Sequence, residues 1–216
     1  MTPAEIDWDE ARRYAGIKTF DPRLEELLRD CGRELMAAAE PRAIWKRMTL
    51  LQTASGVRLG ELEFDSADLR RHLEGCGEAA LLAATLGVET DRLIRRSGLK
   101  DMSRALLLQA CAASLLERCC DGWGEALAAE TELYLTPRFS PGYGDFSPRY
   151  QRELLDSLNA AKRIGLTVTE GMMLAPAKSV TAVIGLTDQT GGRNGGCAPQ
   201  GCRACGKADC QFRRTT

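Results

Sequence analysis

Four cysteines lie close together near the end of the sequence, and cysteine thiolates are side chains that bind soft metal ions. Cys197, Cys202, Cys205 and Cys210 fall within 14 residues, at the spacing Cys-x4-Cys-x2-Cys-x4-Cys. Four thiolates at this spacing suit tetrahedral coordination of zinc or ligation of an iron–sulfur cluster. The spacing does not separate these two, and free or redox-active thiols without metal are the third alternative.

A second group of residues that could bind a ligand lies in the loop from Thr136 to Pro148. Three prolines and two glycines in these 13 residues exclude regular structure. Arg138 offers a planar donor fork that suits a carboxylate or phosphate, and Tyr143 offers a ring face and a hydroxyl. A stiffened loop loses little entropy on binding, so the loop is a candidate small-molecule clamp. The alternative is a surface turn in which Arg138 forms a salt bridge.

The elements that must position this loop are a mixture of helices and strands. Periodicity and capping residues predict helices over 21–40, 66–75, 101–132 and 148–163, and strands over 57–64, 79–86, 166–169 and 179–184. For 79–86, periodicity alone does not exclude a helix. Because the strands do not alternate with helices as βαβ units, we expect an α+β fold, a single domain with long helices around a twisted antiparallel sheet. The Gly-rich stretch 191–196 predicts a linker, which divides the chain into a domain at 1–190 and a cysteine-rich tail at 191–216.

Two glycines interrupt the longest predicted helix. Gly122 and Gly124 lie in its second half, where each costs about 1 kcal/mol relative to alanine. We interpret them as sites of close packing against another element. Local fraying or a kink is the alternative interpretation.

Composition narrows the class of protein. The 216 residues carry a formal net charge of −1, which argues against a nucleic-acid-binding protein. The sequence has no apolar run of the roughly 18 to 20 residues that a membrane span needs, and it does not begin like a signal peptide. We therefore expect a soluble, cytoplasmic protein with no membrane partner.

The remaining cysteines and the histidine have a structural interpretation. An odd total of nine cysteines without an export signal disfavours a disulfide framework. Five of them lie in apolar or helical stretches and are predicted to be buried thiols: Cys31, Cys76, Cys111, Cys119 and Cys120. His72 is the single histidine, so mechanisms that need two histidines are excluded. Its neighbours are charged, and we interpret it as a surface residue.

The loop and four other segments resemble one known family. Arg138-Phe-Ser-Pro-Gly-Tyr143 resembles the Arg-x-x-x-Gly-Tyr motif in the reactivation domain of cobalamin-dependent methionine synthase. Further segments are similar to that domain in the same order along the chain: Ile6-Asp7-Trp8, Asp121-Gly-Trp-Gly-Glu125-Ala-Leu-Ala, Gly165-Leu-Thr-Val-Thr-Glu170 and Pro176-Ala-Lys-Ser179-Val180. The resemblance spans residues 6 to about 185.

The resemblance implies a binding site for S-adenosylmethionine. Carried over by motif, its residues are Asp7, Glu125, Arg138, Ser140, Gly142 and Tyr143. Arg138 would pair with the carboxylate of the ligand, and Glu125 would balance its amino or sulfonium end. Asp7 would accept from the amino-acid part or the adenine. The backbone around Ser140 and Gly142 would contact the adenosine, and Tyr143 would pack near the reacting methyl. No catalytic residue is assigned.

Two departures from the family concern the corrinoid. The family has a downstream tyrosine that has no counterpart in Leu186-Thr187-Asp188-Gln189. A family histidine that follows the Gly-Tyr pair is also missing, and Arg149 stands near its place. Contacts to a corrinoid are therefore expected to differ from those of the family.

The resemblance also implies a function. The family domain supports reductive methylation, in which cob(II)alamin gains an electron and then a methyl group from S-adenosylmethionine. The chain lacks the Asp-x-His-x-x-Gly motif of cobalamin-binding domains and the length for the substrate barrels. We therefore expect a component of a cobalamin-dependent methionine synthase that acts in trans. Its partner would be a corrinoid-binding methyltransferase or a methionine synthase chain, with a flavodoxin or ferredoxin-type electron donor.

Two alternative functions remain open from the sequence. One is a docking module for a corrinoid protein that performs no S-adenosylmethionine chemistry. The other is a metal-thiolate electron carrier, in which an iron–sulfur cluster or zinc bound by the tail cysteines would be the functional centre. An iron–sulfur cluster would also suit the first function, because reactivation needs a one-electron donor near cobalt.

Overall fold

A computed structural model describes residues 4–188 of the chain. The elements in chain order are α1 (Trp8–Tyr14), α2 (Pro22–Ala38), β1 (Arg42–Gln52), β2 (Val57–Leu59), β3 (Leu62–Phe64), α3 (Ala67–His72), β4 (Glu78–Thr85), α4 (Val88–Gly98), α5 (Met102–Thr131), β5 (Tyr134–Leu135), α6 (Tyr150–Leu158), α7 (Ala160–Ile164), β6 (Thr167–Val168), β7 (Leu174–Ala175) and β8 (Ser179–Thr187). None of the helices in this part of the chain is long and apolar enough to cross a membrane.

The strands form one antiparallel sheet of six strands and a separate small hairpin. The order in the large sheet is β3-β2-β1-β4-β8-β5, and β6 pairs with β7 in the hairpin. The long strands β1, β4 and β8 form the centre, where Leu82 is opposite Trp45 on one side and Ala182 on the other. The two-residue strand β5 forms the edge, and Tyr134 is opposite Thr187 there.

Helices cover both faces of the sheet, which explains the continuous apolar run of β4. Successive residues of a strand point to opposite faces. Leu81 packs into the core beneath α6 and α7, whereas Leu82 packs with Leu127 of α5 on the other face. Helices α1, α2, α4 and α5 enclose the second core on that face, to which Ala84 belongs. The predicted α+β class with an antiparallel sheet is therefore confirmed.

Helix starts were predictable because their caps are encoded locally. The Asp21 carboxylate accepts hydrogen bonds from the first backbone N–H groups of α2, and the Asp101 carboxylate does the same for α5. Pro22 takes the first position of α2, where its missing N–H costs nothing. The predicted helix 148–163 is divided into α6 and α7 at Asn159, whose φ of 52° is left-handed.

Three features of the fold differ from the sequence prediction. The single strand expected over 57–64 is a hairpin, because Gly60 at φ 57° turns the chain between β2 and β3. Strand β1 escaped prediction, since only Ile44 and Leu50 are buried along its 11 residues. Helix α4 also escaped prediction: it buries only Leu93 and Ile94 among its apolar residues, and its N-terminal cap is a glycine without a side-chain hydrogen bond.

We predict that the aromatic cluster on the α6 face stabilises the loop that precedes this helix. Phe146 is fully buried, and its ring packs edge-on against Phe64 at 5.4 Å between centroids. Replacing a buried phenylalanine by alanine removes apolar contacts and leaves a cavity, so Phe146→Ala should lower the free energy of unfolding by about 3–5 kcal/mol. Urea denaturation measures this loss. Phe20→Ala is the matched control because Phe20 is 78% exposed; an equal loss in both variants would contradict the prediction.

Candidate functional site

The loop from Thr136 to Pro148 is fastened to the edge of the sheet by backbone hydrogen bonds. The amide of Thr136 donates to the carbonyl of Gly185 at 2.9 Å. Phe139 and Val183 exchange two backbone hydrogen bonds, of 2.9 and 2.8 Å. Because neighbouring residues of an extended segment point to opposite faces, Phe139 faces the α6 side while Arg138 faces α5.

The loop also holds both ends of the short helix α3. At its start, the Asp145 carboxylate accepts hydrogen bonds from the amides of Ala67 (2.8 Å) and Asp68 (3.1 Å) and from the Ser66 hydroxyl. Gly144 allows this approach, because it has a φ of 51° and a Cβ there would collide with the Asp68 carboxylate. At the other end of α3, Nε2 of His72 lies 2.7 Å from the carbonyl oxygen of Pro137.

The interpretation of His72 as a surface residue is therefore wrong. Its ring is half-buried and packs against the Phe139 ring, with 4.8 Å between centroids. The charged neighbours in the sequence were misleading because α3 is amphipathic and turns this residue toward the loop. Burial lowers the pKa of His72, and the hydrogen bond to the Pro137 carbonyl opposes this shift only in part. In the neutral ring, the Nε2–H tautomer donates to that carbonyl.

Arg138 connects the loop to helix α5. Its guanidinium donates to the Glu117 carboxylate at 2.6 Å and to the Asp121 carboxylate at 2.9 Å. The Arg138 side chain is 19% exposed, whereas both carboxylates are exposed by more than 40%. The salt bridge that the sequence left as an alternative for Arg138 thus exists within the domain. A ligand carboxylate that binds Arg138 would have to share the guanidinium with these two side chains.

Helix α5 presents a row of acidic residues next to Arg138. Glu117, Asp121 and Glu125 follow each other at four-residue intervals, so they lie on one side of the helix. Arg118 lies beside this row and is exposed. The combination of three carboxylates and two guanidinium groups suits a ligand that carries both positive and negative charges.

Two grooves flank this row of α5. The first, which we call the edge groove, lies between α5 and strands β5 and β8 and has a volume of about 490 Å³. Its lining consists of Arg118, Asp121, Gly124, Glu125, Ala128, Leu135, Thr136, Arg138 and Ile184. The second, the α2 groove, lies toward the end of α2 and has a volume of about 1040 Å³. Both volumes fall near the range of about 300–1,000 Å³ that is typical of ligand pockets.

The two glycines of α5 keep these grooves open. The helix runs without interruption through Gly122 and Gly124, and a Cβ at either position would meet no heavy atom within 4 Å. The expected close packing against another element is therefore wrong, and so is local fraying, because the helix is continuous here. A kink stays the alternative interpretation. Gly122 lines the α2 groove and Gly124 lines the edge groove, so side chains at these positions would project into the open space.

The structure brings together some of the predicted ligand residues. Glu125 and Arg138 both line the edge groove. The Asp7 side chain caps α1 by accepting from the amides of Asp9 and Glu10, and the Asp7 carbonyl accepts from the hydroxyl of Ser114 on α5. Asp7 therefore lies beside α5 but not among the residues that line the edge groove.

The other three predicted residues form the outer end of the loop. The Ser140 carbonyl accepts from the Tyr143 amide at 3.0 Å, and the Gly142 amide donates to the Phe146 carbonyl at 2.6 Å. The Tyr143 side chain is 56% exposed and lies edge-on to Phe139. These residues do not line the edge groove either. Sequence reasoning missed Glu117 and Asp121 as partners of Arg138, although their four-residue spacing with Glu125 was a usable signal.

The described part of the chain offers no alternative metal site. Between residues 4 and 188 no group of three or more histidine, cysteine or acidic side chains is arranged to hold a metal ion. The predicted ligands Cys197, Cys202, Cys205 and Cys210 lie outside the described residues.

The prediction of buried core thiols is confirmed for Cys31, Cys111, Cys119 and Cys120, and Cys76 is half-buried. Burial raises the pKa of Cys111 and Cys120 to about 12 and that of Cys119 to about 11, so these thiols are unreactive.

Comparison with known proteins identifies a solved structure with a similar fold. An antiparallel sheet covered by helices, with a charged groove at its edge, is an α+β domain suited to a small ligand. Among solved structures, the chain is similar to the crystal structure of the MetH reactivation domain bound to AdoHcy, with a TM-score of 0.65 and 14% sequence identity. The match covers 86% of this chain and 75% of that one. No family model and no curated protein matches the chain. The chain therefore has the fold of a methionine synthase reactivation domain, as the sequence motifs indicated.

We predict that acid destabilises the loop through His72. The pKa of the buried ring is lowered from the roughly 6.5 of an exposed histidine, so the unfolded chain binds a proton more readily than the folded one. The contribution of neutral His72 to stability is complete above a pH of about 6.5 and is lost as the pH falls through the folded-state pKa.

Urea denaturation as a function of pH tests this expectation. His72→Gln retains an amide donor for the Pro137 carbonyl but has no titrating group. Between a pH of about 7.5 and about 5, the free energy of unfolding should therefore fall more steeply in the native protein than in His72→Gln. The difference between the two curves isolates His72 from the carboxylates. Parallel curves would show that His72 titrates alike in the folded and unfolded chains.

Proposed function

We propose that the chain binds S-adenosylmethionine in the edge groove and supports the reductive methylation of cob(II)alamin on a separate corrinoid protein. The observation that carries this proposal is that Glu125 and Arg138 line one groove, in a domain that is similar to a solved structure bound to AdoHcy. AdoHcy is what remains of S-adenosylmethionine after its methyl group has been transferred.

The charges of the groove fit the ligand. S-adenosylmethionine carries an ammonium, a sulfonium and a carboxylate, so its net charge is positive. Asp121 and Glu125 of the groove, together with Glu117 beside Arg138, supply carboxylates for the two cationic groups. Arg138 is the planar donor for the ligand carboxylate. The apolar side chains of Leu135 and Ile184 supply a surface for the uncharged part of the ligand.

The loop geometry suggests how the chain would position the ligand. The backbone of Arg138 is held in place by its neighbour Phe139, which forms backbone hydrogen bonds with β8. The side chain of Arg138 forms a hydrogen bond with α5. Tyr143 lies at the exposed outer end of the loop, on a segment fixed by Asp145 and α3. A rigid loop with an exposed aromatic suits a site that must present its ligand to a second protein.

In this proposal the corrinoid is bound outside these 216 residues. The 216 residues contain one histidine, His72, and its ring is engaged with the Pro137 carbonyl. The sequence therefore supplies no Asp-x-His-x-x-Gly ligand for cobalt. In the proposed reaction, cob(II)alamin held by the partner accepts one electron from a flavodoxin or ferredoxin-type donor and a methyl group from S-adenosylmethionine, which leaves AdoHcy.

We predict that Arg138→Ala weakens S-adenosylmethionine binding about ten- to a hundredfold. A hydrogen bond to a charged group contributes roughly 1.5–3 kcal/mol, and the alanine leaves the ligand carboxylate without its partner. Titration calorimetry measures the affinity. Arg138→Lys keeps the charge but loses the planar fork, so its affinity should lie between those of the other two proteins.

Arg163→Ala is the matched control for this titration. Arg163 is exposed at the end of α7 and forms no ion pair in the described structure. Circular dichroism and thermal unfolding check that each variant is folded, because Arg138→Ala also leaves Glu117 and Asp121 without their cation. Equal affinities of folded Arg138→Ala and native protein would contradict the assignment of Arg138.

We further predict that this protein restores methyl transfer to an inactive corrinoid protein. The assay combines a partner in the cob(II)alamin state with a low-potential reductant and S-adenosylmethionine, with and without this chain. Formation of methylcobalamin, followed by its absorption spectrum, should depend on the chain and on S-adenosylmethionine. Partner binding with no dependence on S-adenosylmethionine would contradict the proposal and favour a docking module.

A further inference from the structure

The α2 groove has an apolar floor and a charged rim. Its volume of about 1040 Å³ is roughly twice that of the edge groove. The apolar part of its lining consists of Ala4, Met36, Ala39, Pro41, Leu115, Trp123 and Ala126. Glu5, Asp121 and Glu125 contribute negative charge to the rim, and Arg118 is the one positive side chain of the lining. A groove of this kind is suited to an apolar side chain that is accompanied by positive charge.

Negative charge continues along the second half of α5. From residue 117 to the cap at 132 the acidic residues are Glu117, Asp121, Glu125, Glu130 and Glu132, and Arg118 is the only basic one. The last turn of α5 contains no basic residue. Because the C-terminal end of a helix carries partial negative charge, acidic residues there are unfavourable without a cation nearby. The exposed carboxylates of Glu5 and Glu125 have no ion-pair partner among residues 4–188.

The chain itself leads from this surface into a basic segment. Strand β8 ends at Thr187, which is opposite Tyr134, and Tyr134 lies two residues beyond the cap of α5 at Glu132. The 28 residues that follow Asp188 contain five basic residues and one acidic residue: Arg193, Arg203, Lys207, Arg213 and Arg214 against Asp209. At roughly 3.3 Å per residue, a segment of this length is long enough to reach any part of the α2 groove.

One position in this segment matches the apolar floor. Phe212 is the only aromatic or large aliphatic residue after Asp188, and Arg213 and Arg214 follow it directly. An aromatic side chain next to two guanidinium groups has the chemistry of the groove: a ring for the floor and positive charge for the rim. The segment is positively charged, whereas the whole chain has a net charge of −1. Residues 4–188 therefore carry a net negative charge.

We propose that residues 189–216 dock within the same chain on the α2 groove, with Phe212 on the apolar floor and Arg213 and Arg214 beside Glu5 and Glu125. The α2 groove shares Arg118, Asp121 and Glu125 with the edge groove. The proposal does not require that S-adenosylmethionine bind, and its test is carried out without that ligand.

Zero-length carbodiimide cross-linking of the full chain tests the docking. Lys207 is the only lysine after Asp188, so amide bonds from its amino group to carboxylates report where the segment lies. Mass spectrometry of the cross-linked monomer should find Lys207 joined to Glu5, Asp121 or Glu125. The yield should fall severalfold at 1 M salt, where the Debye length is about 3 Å.

Two variants and a control separate docking from random collision. Phe212→Ala removes the proposed anchor, and Met36→Asp puts a charge into the apolar part of the lining; both should lower the yield of these cross-links severalfold. Met173→Asp is the matched control for the second, because Met173 is 68% exposed in the turn between β6 and β7. It also matches the change of net charge, so this control should not change the yield.

Four outcomes would overturn the proposal. They are the absence of any Lys207 cross-link, links mainly to carboxylates at the far edge of the sheet such as Glu61, a yield insensitive to Phe212→Ala, and links found only between two copies of the chain. The last would show that the groove is an interface between copies. None of these results bears on the affinity for S-adenosylmethionine, so failure of this proposal and failure of the proposed function are distinguishable.

Discussion

The ion pairs of Arg138 with Glu117 and Asp121 connect the two halves of the molecule that form the site. Arg138 comes from a loop bonded to the last long strand of the sheet, and its partners come from the long helix on one face. Because the carboxylates are 42% and 47% exposed, solvent screens these pairs. Their contribution to stability is therefore nearer to the roughly 1 kcal/mol of surface pairs than to the 3–5 kcal/mol of buried ones. Their main effect is to fix the position of the guanidinium.

This arrangement combines fixed backbone with a side chain that can exchange partners. The loop backbone is held by Gly185, Val183 and α3, so the Cα of Arg138 has little freedom. Its guanidinium already has two carboxylate partners. In the proposed complex a ligand carboxylate would replace one of them without leaving a buried charge unpaired, and the freed carboxylate would face the positive groups of the same ligand. The electrostatic cost of binding would be small, because one carboxylate partner of Arg138 is exchanged for another and no unpaired charge is buried.

The sequence predicts those features of the site that are encoded in short segments, and it does not predict those that depend on contacts between distant residues. The caps at Asp21 and Asp101 and the apolar run of β4 are encoded in short segments, and the structure confirms them. The loop that carries Arg138 was recognisable from its prolines, glycines and motif. The hydrogen bond of His72 to Pro137 was not predictable, because it joins residues 65 positions apart and depends on how α3 packs. Strand β1 was not predictable for a similar reason: its own sequence has no clear pattern of buried residues, and it is a strand because it pairs with its neighbours in the sheet.

The glycines of α5 show how the site and the helix constrain each other. Glycine in a helix costs about 1 kcal/mol relative to alanine, and neither Gly122 nor Gly124 has a neighbour that a Cβ would displace. Alanine would thus stabilise the helix at both positions without steric conflict in the domain. The conformational cost of glycine has no compensation within residues 4–188, whereas both positions open onto grooves that share Asp121 and Glu125. The space above these glycines is therefore open to the ligand and to the segment that we propose for the two grooves.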